Sequence, residues 1–165
     1  MSTNTEVWLR GPVAGIPALL QPAAHALVQA REEIGALAPA IATDVLWTKR
    51  GAATPGFHLL HLAGALDRLF TYARGEALND TQKTALRAEA TEHPELDGAA
   101  LVKIVDAAID KALAQLSATD PATLTTERRI GRAGLPTTVI GALFHGAEHT
   151  SRHVGQFIST VKLTQ

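Results

Sequence analysis

FHGAEHTSRHVGQF, from Phe144 to Phe157, places histidines at 145, 149 and 153, each four residues from the next. Residues four apart on a helix lie about 40° apart around its axis, one turn above another. His149 and His153 therefore project from one face and could bind one metal ion, with His145 a further turn down the same stripe. Val139, Ile140, Leu143, Phe144, Phe157, Ile158 and Val161 recur at helical spacing around them, which predicts a long last helix beginning at Thr137. A catalytic metal commonly takes three protein ligands and keeps a position open for water or substrate. A third ligand must come from another part of the chain.

The segment GFHLLHLAGALDRLFTYAR, from Gly56 to Arg74, supplies candidates. Leu59, Leu60, Leu62, Ala63, Leu66, Leu69 and Phe70 form a broad apolar helical face, and Gly75 offers a stop. His58 and His61 sit within that face. His61 is followed by Leu62-Ala63-Gly64-Ala65, small enough to let a neighbouring helix approach closely. Helix bundles accept metal ligands from facing helices in this way. Imidazole nitrogen suits zinc, nickel, copper and ferrous iron alike, so the residues do not select a metal. His25 is isolated and His93 precedes Pro94 in a loop, and both read as ordinary boundary residues.

Two further helices complete the pattern. One lies within Pro12 to Leu37, with Val13, Ile16, Leu19, Leu20, Ala23, Leu27 and Ile34 as its buried stripe and a kink or a start near Pro22. The other runs from an Asp97 N-cap to about Leu116, burying Leu101, Ile104, Val105, Ala108, Ile109 and Leu113. A short helix capped by Asn79 or Asp80 extends through about Ala90, and residues 39–55 and 117–136 read as connections. Four amphipathic helices point to an all-α fold, a four-helix bundle, in one domain spanning residues 1–165. The connections are long enough that simple up-down topology does not follow.

Composition narrows the functions. The chain has 165 residues, 46% hydrophobic and only 4% aromatic, rich in the helix formers Ala and Leu. Its 15 basic and 16 acidic residues are interspersed and leave a net charge of −1, so no basic stripe invites nucleic acid. No apolar run approaches the roughly 18 residues of a membrane span, and the Pro-interrupted stretch after Arg10 fits a secretory signal poorly. A cytoplasmic protein with no membrane partner is the expectation. There is no cysteine, which excludes disulfides, thiolate ligands and a cysteine nucleophile. A reaction that uses sulfur must receive its thiol on a small molecule. The zincin motif H-E-x-x-H, paired Glu-x-x-His elements of a di-iron bundle, phosphate loops and nucleophile elbows are all absent.

The two histidine segments together resemble the DinB-like (YfiT-like) superfamily of metal-dependent proteins. Its last helix carries H-x-x-x-H-R-G-Q, and His149-Thr-Ser-Arg-His153-Val-Gly-Gln156 is similar to it, with Val154 where arginine is common. Its second helix carries one histidine in a context like GFHLLHLAGALDR, at the position of His61. The opening EVWLRGPVAGIPALLQP and the LPTT run before the last helix add to the likeness. The resemblance implies a DinB/YfiT-type four-helix bundle, often a homodimer, with a divalent metal (zinc, nickel or iron) held by His61, His149 and His153. His58 and His145 are then auxiliary candidates beside the metal. Relatives include enzymes that use a low-molecular-weight thiol.

The resulting expectation is a metal-dependent transferase that activates a small thiol against an electrophilic small-molecule substrate. Arg128, Arg129 and Arg132 precede the last helix and are candidates to contact a cosubstrate's carboxylates. A metal-dependent hydrolase and a non-catalytic metal- or ligand-binding stress-response module are the alternatives.

Overall fold

A computed structural model describes residues 5–49, 51 and 53–164. Four long helices dominate: α1 (Gln21–Leu37), α3 (Pro55–Ala73), α5 (Gly98–Ala118) and α6 (Val139–Thr164). Between them lie two short ones, α2 (Thr43–Trp47) and α4 (Asp80–Ala88).

The helices begin where local chemistry satisfies their first amide groups. α1 starts with Pro22 in its first turn, where a missing N–H costs nothing. Thr54 caps α3 by accepting the Phe57 amide at 3.1 Å, and Pro55 follows as the first helical residue. Asn79 and Gln82 form a reciprocal capping box on α4, and Asp97 accepts the Ala100 amide at the head of α5. Thr138 Oγ1 accepts the Gly141 amide at 3.1 Å where α6 begins.

α3 packs against α5 and α6, and α1 packs against the same two helices from the opposite side. The ring order is therefore α1, α6, α3, α5, with α1 and α3 on a diagonal. An up-down bundle would make those sequence neighbours adjacent. α3 and α5 run parallel: Gln115 Nε2 donates to the Phe70 carbonyl at 2.9 Å, while Leu60 and Ile104 line one cavity nearer the other end. The chain returns between them through α4. α6 runs antiparallel to α3, with Gly146 against the Phe70 ring and His153 against His58. A Cβ at Gly146 would sit 2.9 Å from Phe70, so this glycine lets the two helices approach closely one turn before the histidines.

Leu27, Ile34, Leu59, Leu62, Leu66, Leu101, Ile109, Leu143 and Phe157 fill the centre. Several features differ from the sequence reading. Ile104, expected on the buried stripe of α5, is 37% exposed, because it lines the open cavity between α3, α4 and α5. The stretch 39–55, read as a connection, contains α2. Leu19 is 67% exposed, because it lies in a single 3-10 turn before α1 and off the helical stripe. Residues 127–138, read as part of a connection, contain an antiparallel hairpin, β1 (Glu127–Ile130) with β2 (Leu135–Thr138). Gly131 and Gly134, both with positive φ, make its turn. Among the described residues, no helix is long and apolar enough to cross a membrane.

Candidate metal site

The buried seam of α6 runs through Ala142, Leu143, Ala147, Thr150, His153, Val154 and Phe157. His153 lies on that seam and is only 9% exposed. Each step of four residues back toward the N-terminus rotates about 40° away from it. His149 is thus half-buried at the seam's edge, whereas His145 is exposed and faces Glu148.

α3 places its histidines opposite. His61 Nε2 and His149 Nε2 are 3.1 Å apart, and the His61 and His153 rings have centroids separated by 4.6 Å. His61, His149 and His153 each offer a nitrogen within 4.8 Å of the others, a group that could hold a metal ion. Two nitrogens on one tetrahedral zinc ion lie about 3.4 Å apart, so the His61–His149 spacing suits a shared ion. His58 stands behind the group, its Nδ1 3.1 Å from His153 Nδ1. Phe57 stacks on the His61 ring at 5.2 Å.

The electrostatics favour neutral imidazoles, the form that binds a cation. Burial, then the neighbouring His61, pushes the His149 pKa down. Burial and the charges that His61 and His149 would carry lower His153 to about 4. Burial and His61 depress His58 as well. A negative charge stands close by: His61 Nδ1 donates to Glu89 Oε2 at 2.8 Å, and Arg68 donates to both Glu89 oxygens. Burial pushes the Glu89 carboxyl up, but its bonds to His61 and Arg68 outweigh that and hold it below the usual range.

A cavity of about 460 Å³ opens onto His58 and His153, lined also by Thr54, Phe57, Thr91 and Gln156. That volume suits a small molecule. A more apolar cavity of about 470 Å³ lies between α3, α4 and α5 and touches Glu89, but none of the three grouped histidines lines it.

The candidate arginines sit elsewhere. Arg128 Nε donates to the Ala73 carbonyl at 2.8 Å, and Ala73 is twelve residues along α3 from His61, or ~18 Å of helix. Arg129 pairs with Glu127, and Arg132 is exposed in the hairpin turn. The structure does not bring these three to the histidines. His25 instead meets the Gly11 carbonyl, and His93 meets Glu95 and the Ala88 carbonyl.

Glu89 and Arg68 are the residues that sequence reasoning missed at the site. Glu89 ends a polar segment 28 residues from His61, and nothing in its spacing announces a partner. The one signal was Gly64, which breaks an otherwise strong helix former run between His61 and Arg68. The sequence matches the family described as the DinB superfamily over residues 19–157. No curated protein matches the chain.

Proposed function

Because this chain belongs to the DinB superfamily, we propose that it is a divalent-metal-dependent transferase that uses a low-molecular-weight thiol. The observation that carries the reading is the convergence of His61, His149 and His153 from two helices beside a small-molecule cavity. A divalent ion held by those nitrogens would favour the thiolate form of a bound thiol, which is the nucleophile. Such a sulfur would bond to an electrophilic carbon of the second substrate, whose leaving group would depart with its electron pair, and the thiol proton would pass to solvent.

The chain's own residues set the conditions for that reaction. His149 and His153 stay neutral and available because burial and repulsion from the neighbouring imidazoles disfavour their protonated forms. Phe57 and His58 wall the cavity next to His153, and Thr54, Thr91 and Gln156 give it polar contacts for a substrate. No protein thiol competes for the metal, since the sequence has no cysteine.

The test begins with untagged protein, assayed for zinc, nickel and iron by elemental analysis. The metal-loaded protein is then offered a small thiol with a chlorinated or epoxide electrophile. Product that requires the thiol supports transfer. Product formed equally without thiol makes the protein a hydrolase, and metal binding with no turnover makes it a binding module.

A further inference from the structure

Glu89 is the residue just past the end of α4, and it is 6% exposed. Carboxylates are seldom buried unless paired. This one is paired twice on the same short face of α3. Oε2 accepts from His61 Nδ1 at 2.8 Å and from Arg68 Nη2 at 3.3 Å, and Oε1 accepts from Arg68 Nη1.

Between His61 and Arg68 on that face lies Gly64. A Cβ there would overlap Glu89 Oε1 and come within 2.7 Å of Arg68 Nη1. Glycine inside a helix costs about 1 kcal/mol relative to alanine. Here the missing methyl is the space the carboxylate occupies. The small residues after His61 leave room for a close neighbour, and over Gly64 that neighbour is a side chain, not a helix. His61, Gly64 and Arg68 thus form a cradle, and Glu89 fills it.

Resting on the metal reading for its consequence, we propose that Glu89 is a positioning residue that locks His61 as its Nδ1–H tautomer and aims the Nε2 lone pair at His149 and His153. An acceptor at Nδ1 forces the ring proton onto that nitrogen and leaves Nε2 bare. The negative charge makes the imidazole a stronger donor, and Arg68 fixes the carboxylate's orientation. Among the described residues, Glu89 is the carboxylate that hydrogen-bonds a member of the histidine group. His153 has a weaker counterpart, since its Nδ1 faces the imidazole of His58.

A Glu89→Gln variant inverts the arrangement while keeping the size. Arg68 takes the amide oxygen, the NH₂ turns toward His61 Nδ1, and the ring proton moves to Nε2. Full-length, untagged, metal-free protein with ¹⁵N-labelled histidine is read at pH 8 by long-range ¹⁵N–¹H correlation, which distinguishes the tautomers. Wild type shows His61 as Nδ1–H, and Glu89→Gln shows it as Nε2–H. Zinc affinity, measured by competition with a chromophoric chelator, falls about 10–100-fold in Glu89→Gln. Gly64→Ala displaces the carboxylate and lowers it as well.

A wild-type His61 in the Nε2–H form overturns the proposal. So does a folded Glu89→Gln protein that keeps the Nδ1–H tautomer and binds zinc within twofold of wild type. If Glu89→Gln does not fold, the wild-type tautomer and the Gly64→Ala affinity decide. Wild type that binds no zinc, nickel or iron overturns the metal reading separately, and the tautomer still decides the role of Glu89.

Discussion

His145, His149 and His153 are chemically identical and evenly spaced, yet they have three different surroundings. The cause is the angular drift of about 40° per four residues, which carries His145 out to solvent and His153 into the seam. His149→Ala and His153→Ala should each lose more metal affinity than the 10–100-fold typical of an outer partner, and His93→Ala should lose none. Elemental analysis with chelator competition measures this, and equal metal content in His153→Ala and His93→Ala would sink the assignment. His153 also makes the metal-free protein sensitive to acid. Its pKa is lowered from 6.5 to about 4, chiefly by burial and then by the adjacent imidazoles. Above 6.5 it is neutral folded and unfolded, so it contributes no pH slope. Between 6.5 and about 4 the unfolded chain binds the proton and the folded one does not, so stability falls as pH falls. Glu89, held below the usual carboxylate range, adds a further loss at lower pH. Thermal melts without metal at pH 7.5 and 5 should separate less in His153→Gln than in wild type.

Helix starts are where local sequence and structure agree best. The Asp97 cap was legible, and that of α4 narrowed to Asn79 or Asp80, because an N-cap is satisfied within its own first turn. Asp97→Ala should cost about 1 kcal/mol by chemical denaturation. Gly98, beside it, is a different kind of position: an added methyl would overlap the Ala38 carbonyl, which is backbone and cannot rotate away. Gly98→Ala should therefore destabilise by more than Asp97→Ala, about 1–3 kcal/mol for an overpacked site. Equal midpoints for the two variants would contradict that contact. The hairpin at 127–138 escaped the reading because ERRI and LPTT lack an alternating apolar face, and Pro136 argues against a strand. In a two-stranded ribbon both strands are edges, where proline is tolerated.

For the whole molecule, the site ties the N-terminal half of α3 to the middle of α6, so an ion bound by both should stabilise the bundle. Zinc at 100 times its Kd adds about 2.7 kcal/mol, which in a domain of this size raises Tm by about 5–10 °C. His61→Ala should abolish that shift while leaving a cooperative metal-free melt; a full shift in His61→Ala would remove α3 from the site. Sequence alone determined the four long helices, the Asp97 cap, and the placing of His149 and His153 on one face. Those follow from periodicity and hydrogen bonds that close within a turn or two, so the local residues suffice. Only the tertiary structure decided that α3 lies beside α6 and diagonal to α1, that His61 joins the group while His58 backs His153, and that Glu89 reaches His61 across 28 residues. Those contacts exist because packed helix faces bring distant segments together, and no local spacing encodes which faces will meet.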